Sequence, residues 1–105
     1  MNTVQLTGQI VERGPMRYTP AGLPALDVRV AHASSVQHEG ESRQVSLEIH
    51  ATAFGVLASQ LALMAVGDTA LFSGFLAKQR NGRGVMLHIN ALAPVAPVAT
   101  SSITV

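Results

Sequence analysis

Hydrophobic and polar residues alternate along most of the chain. Over residues 3–11, Val4, Leu6, Gly8 and Ile10 fall on one side, and Gln5, Thr7 and Gln9 on the other. A period of two with one polar face predicts a half-buried strand. Gly8 in mid-strand predicts a bend or a close backbone approach. Leu26, Val28, Val30 and His32 alternate with Asp27, Arg29 and Ala31, giving a second strand. Val45, Leu47, Ile49 and Ala51 alternate with Ser46, Glu48, His50 and Thr52, giving a third that runs toward Phe54. Asp68 and Thr69 open a fourth, with Ala70, Phe72, Gly74 and Leu76 on one face and Leu71, Ser73, Phe75 and Ala77 on the other. Residues 85–92 form a fifth.

The segments between differ in kind. Residues 12–24 hold three prolines and two glycines and predict a loop or hairpin connection. Residues 33–44 are polar, contain Gly40 and read as a second loop. Over 56–66, Leu57, Leu61, Met64 and Ala65 recur at spacings of three and four, predicting a short helix stopped by Gly67. Residues 78–84, KQRNGRG, predict a turn through the hairpin pair Asn81-Gly82. The order β-β-β-α-β-β predicts an all-β fold: an OB-fold, five-stranded antiparallel barrel with one short helix between strands three and four. The domain is expected to span 1–93. The uncharged tail, 94–105, is expected to be loose.

Composition narrows the function. The 105 residues are 48% hydrophobic and 12% charged, with a formal net charge of +1. A global electrostatic pull on nucleic acid or membrane is excluded, so such a partner must be met by a local patch. Cysteine is absent, which removes disulfides, thiolate nucleophiles and Cys-ligated metals. No signal peptide or membrane span is read, and a soluble cytoplasmic protein is expected. The histidines at 32, 38, 50 and 88 lack helical metal-site spacing. His32 is in phase with the core and reads as a buried, hydrogen-bonded histidine. Glu39 and Glu41 lie in the polar segment, where catalytic carboxylates would be poorly positioned. Neither a nucleophile elbow nor a phosphate-binding glycine loop occurs. No catalysis, metal or cofactor is expected.

One cluster carries chemistry. Lys78, Arg80 and Arg83 fall within the seven-residue turn without an acid between them. Such side chains can meet phosphates and release counterions; the bland alternative is a solvated turn. The 12–24 connection adds Arg13, Arg17 and Tyr18 on a neighbouring edge. Two cationic loops flanking one OB face bring the nucleic-acid reading level with the solvated-turn one. Phe72 and Phe54 read as core. Tyr18 and Phe75 are the candidate stacking rings. Phe75 also lies in an outward apolar row with Leu71 and Ala77, which equally suits a subunit interface.

PMRYTPAG at 15–22, following a strand with LTG, resembles the P-x-x-R-Y-T-P-x-G signature of bacterial single-stranded-DNA-binding proteins. The stretch from Phe54 through LASQLALMAVGD to LFSGFL is similar to that family's helix and fourth strand. LTGQIVERGPMR, PAGLP, HASSVQ, Arg43-Gln44 and SGFLAKQRNGRGVMLHI resemble its small primosomal branch, and the likeness spans residues 4–92. The resemblance implies an OB-fold homodimer that binds single-stranded DNA. It implies a replication-restart role between the PriA helicase and DnaT, with no catalysis or cofactor. Lys78 and Arg80 match basic positions of the family's last hairpin loop, Arg83 roughly matches another, and Arg43 matches one just ahead of strand three. Ser46 stands where a relative carries an aromatic residue. Losing that ring implies DNA binding weaker than the family norm, carried more by cations than by stacking. The other reading is an OB-fold protein scaffold with little nucleic-acid affinity.

Overall fold

Each alternating segment forms a strand with its apolar side turned into one shared core. The computed structural model describes residues 1–80 and 82–95. The elements are β1 (Val4–Arg13), β2 (Arg17–Tyr18), β3 (Pro24–His38), β4 (Glu41–Phe54), α1 (Val56–Ala62), β5 (Thr69–Lys78) and β6 (Val85–Pro94). The sheet runs β1-β5-β6-β4-β3, and a β1–β3 pairing closes it into a barrel; β2 is a short hairpin arm on β3. This is the predicted OB barrel with its helix between the third and fourth long strands. One detail is corrected: β4 and β6 run parallel. A closed ring of five strands cannot alternate direction all the way round, so one neighbouring pair must be parallel.

Ile10, Leu26, Val30, Phe72 and Leu87 are buried at the barrel's centre. Ala58 and Leu61 of α1 join the same core. Gly8 makes the expected close approach: a Cβ there would lie 2.3 Å from the Val30 side chain and 2.9 Å from the Ala31 carbonyl oxygen. Gly74 is tighter still, with 1.8 Å to the His88 carbonyl oxygen, beside an irregularity in the β5–β6 ladder.

The polar stretch 33–44 is not a loop. β3 and β4 stay paired out to His38↔Glu41, and only Glu39 and Gly40 turn, both at positive φ (51° and 80°). Two central residues at positive φ are what a tight hairpin matched to strand twist requires. Hydroxyl contacts, such as Ser35 Oγ to Ser42 Oγ at 2.8 Å, lace the ribbon. The helix is also shorter than expected. It ends at Ala62, where the Arg13 guanidinium donates to the carbonyls of Ala62 (3.0 Å) and Met64. The Asp68 carboxylate accepts from the Ala65 N–H at 2.9 Å, and the Gly67 N–H bonds the Ile10 carbonyl at 2.7 Å. These contacts fasten the following turns to β1 and leave no run for a longer helix.

The Gln79 N–H bonds the Gly84 carbonyl at 3.1 Å and closes the β5–β6 turn. Asn81 of the expected Asn-Gly pair lies outside the described residues, as do residues 96–105 of the expected tail. No helix among the described residues is long and apolar enough to cross a membrane.

Candidate nucleic-acid interface

Strand register assembles the site. Asp27 on β3 pairs with Thr52 on β4, Thr52 with His88 on β6, and His88 with Phe75 on β5. A period of two sends all four to the face away from the core, so they form one row across four strands. Arg29, His50, Met86 and Ala77 form the next row. Arg17 from β2 approaches from one side. Lys78, Gln79 and Arg80 come from the other, where β5 leaves the sheet. With Asp27, His50, Thr52, Met86 and His88 they line a groove of about 600 Å³.

Among the lining residues His88 belongs to a cluster of rings. The His88 imidazole stacks on Phe75 with ring centroids 5.0 Å apart and planes 12° apart. Phe54 lies on it at 6.3 Å and 28°. Phe75 stays 40% exposed. Flat rings beside a cationic groove suit stacked bases next to a phosphate backbone.

The charges are partly committed. Arg17 Nη2 donates to both oxygens of Asp27, at 3.0 and 3.2 Å. Burial pushes the Asp27 carboxyl up; the Thr52 hydroxyl and the Arg17 and Arg80 guanidinium groups outweigh it and hold it below its usual range. Thr52 Oγ1 is buried and has no partner at regular hydrogen-bond geometry, so its contact with Asp27 is a loose one. Arg29 donates to His50 Nε2 at 3.3 Å and lies 3.7 Å from Glu48 and 3.9 Å from Glu12.

Of the cations and rings expected from the sequence, Arg17, Lys78 and Arg80 come together here, and Phe75 adjoins them by stacking on the lining His88. Arg83 sits in the same turn and is exposed. Tyr18 is 69% exposed on β2, next to Arg17 but outside the groove lining. Arg13 is elsewhere, holding the end of α1. Arg43 faces Val36 far out on the β3–β4 ribbon, in the opposite phase to His50 and Thr52. Phe54, expected in the core, is instead half-buried against His88. It shares the outward parity of His50 and Thr52. Sequence reasoning missed Arg29, His50 and His88 as well, and the same outward parity would have found them.

A second concavity of about 610 Å³ opens where β1 and β3 diverge, lined among others by Thr7, Gln9, His32, Ser46, Glu48 and Thr69. His32 is half-buried there and hydrogen-bonded as expected: Nδ1 donates to the Thr7 carbonyl at 2.7 Å, and Nε2 meets Ser34 Oγ at 2.8 Å. Ser46 belongs to this groove and not to the basic one. Among the described residues no three His, Asp or Glu side chains gather as a metal-ligand set.

An OB barrel whose outer sheet carries cations above stacked rings defines the class of single-strand-binding proteins. A sequence profile for a family described as another single-strand binding protein family matches residues 2–91. The chain is 42% identical over 97 residues to the replication restart protein PriB of Bordetella pertussis, covering 91% of each. Its fold superposes on the Ralstonia solanacearum PriB structure with a TM-score of 0.83 and 34% identity, over 91% of this chain and 99% of that one. On the single-stranded-DNA-binding protein of Thermus aquaticus the TM-score is 0.75 at 26% identity, over 94% of this chain and 52% of that one. The chain thus belongs to the PriB family of replication restart proteins.

Proposed function

We propose that this protein binds single-stranded DNA along the basic groove and acts as the primosomal adaptor of replication restart. In this reading it bridges the PriA helicase and DnaT on the strand, in the cytoplasm, as a homodimer and without catalysis or cofactor. The supporting observation is the groove itself: Arg17, Lys78 and Arg80 line it together with His88, on which Phe54 and Phe75 stack. Arg83 extends the cationic rim. Tyr18 and Arg43 are outlying contacts for a longer strand, whereas Arg13 serves the fold. Phe75 is assigned to bases; its exposure and its stack on His88, which lines the groove, support that reading. The dimer reading rests on β1, which pairs with β3 only from Gln9 onward and so offers a second copy an edge over residues 4–8.

A protein scaffold is the second reading. It is favoured by the acids that already neutralise Arg17 and Arg29. Anisotropy of a labelled oligothymidylate of about 30 nucleotides, titrated at low and at physiological salt, separates the two. The adaptor reading expects binding that weakens steeply with salt, by about 0.7 in logarithmic slope per phosphate contact. Lys78→Ala with Arg80→Ala removes two contacts, so the slope should fall by about 1.4. Failure to bind at low salt, with helicase capture that survives the double substitution, would establish the scaffold instead.

A further inference from the structure

Among the described residues, Asp27 is the only acid lining the basic groove, and it is paired there with the Arg17 guanidinium. Both its oxygens accept from one guanidinium nitrogen, Arg17 Nη2, a charge-assisted contact of the kind arginine also makes to phosphate. Arg80 lines the same groove, and its charge helps to hold the Asp27 carboxyl below its usual range. Its carboxyl is held in the ionised form, so the counter-ion is present at neutral pH. We infer that Asp27 is an internal stand-in for a DNA phosphate, which holds Arg17 and attracts Arg80 in the free protein and sets an upper limit on strand affinity. An entering strand must displace the carboxylate from Arg17 or share the guanidinium with it. In either case a negative charge stays beside the backbone phosphates and opposes them. Asp27 is thus an affinity-setting residue, acting mainly through the Arg17 guanidinium that it holds. The inference rests on the DNA-binding reading above.

The test is Asp27→Asn, which keeps shape and removes charge. Oligothymidylate binding at low salt should tighten roughly three- to tenfold. The salt slope should steepen by about 0.7, as Arg17 becomes a full phosphate contact. Glu41→Gln, at the tip of the β3–β4 ribbon, makes the same change in net charge away from the groove and should alter affinity less than twofold. Two results would overturn the inference: a folded Asp27→Asn chain that binds no tighter than wild type, or a Glu41→Gln chain that gains as much. A reciprocal variant keeps it testable should Asp27→Asn not fold. Arg17→Met leaves the carboxylate unneutralised in the groove, so its loss of affinity should exceed that of Arg80→Met; an equal or smaller loss counts against the role of Asp27. Wild-type protein that does not bind at low salt would instead sink the DNA-binding reading itself.

Discussion

Two grooves among the described residues have nearly equal volume, about 600 and 610 Å³, and different chemistry. The first has three cationic side chains, one acid and a histidine stacked between two phenylalanines. The second has Glu48 as its one charged lining residue and a histidine locked onto backbone. Size therefore does not locate the site. A single strand offers phosphates and flat bases, and only the first groove answers both. The origin of the difference is topological. The basic groove sits on continuous ladder, over the parallel β4–β6 seam, with the β5–β6 turn as its wall. The neutral one is a gap where β1 leaves β3.

Both grooves rest on a glycine, and substituting each is the severest way to break the comparison. Gly74 lies under the basic groove, where a Cβ would meet the His88 backbone at 1.8 Å; nothing there can rotate aside. Gly8 lines the neutral groove, and its nearest neighbour is the Val30 side chain. Overpacking costs about 1–3 kcal/mol, more where backbone must move. Gly74→Ala should therefore reach or exceed the top of that range in denaturant unfolding, and Gly8→Ala should fall within it. Equal costs would mean that the β5–β6 irregularity relaxes more easily than its contacts suggest.

Aromatic substitutions sharpen the comparison at a smaller scale. Phe75→Ala removes a ring from beside the basic groove. A stacked base contributes about 1–3 kcal/mol, so affinity should drop about 5- to 150-fold. Ser46→Trp places a ring in the neutral groove. If the strand is confined to the basic groove, that change should leave affinity within twofold. A large gain would show that DNA crosses both grooves, and would tie weak binding to the missing ring at Ser46.

The fold was largely legible because burial imposes alternation. The core phases of Val4 to Ile10, Leu26 to Val30 and Ala70 to Leu76 all hold in the structure. The β3–β4 ribbon was missed for the converse reason. Beyond the barrel both its faces meet solvent, so Ala33 to Gln44 carry no apolar period to read, and only the Glu39-Gly40 turn marks it. The site was half legible. Charge density in a turn revealed Lys78 and Arg80. The ring stack depended on lateral strand register, which places His88 between Phe75 and Phe54 and which no local pattern encodes. Arg13 shows the limit from the other side: a cation beside a cationic loop is committed to helix carbonyls that only the tertiary fold brings near.

The smallest expected effect concerns Asp27 and pH. Its carboxyl is held below the ordinary value of 3.8, so the folded state binds the proton less readily than the unfolded chain. The stabilisation is fully present above that ordinary value and is lost as pH falls through the lowered folded-state pKa. Its partner Arg17 stays charged throughout, so the loss belongs to the carboxylate alone. Both side chains are more than a third exposed, and solvent screening keeps the contribution well under about 1 kcal/mol. Wild type should therefore be slightly more stable than Asp27→Asn at neutral pH. The gap in denaturation midpoint should close in the acid range, where wild type becomes neutral at this position too. A gap that persisted unchanged down to pH of about 2 would mean that Asp27 supports the fold through shape and hydrogen bonding, not through its charge.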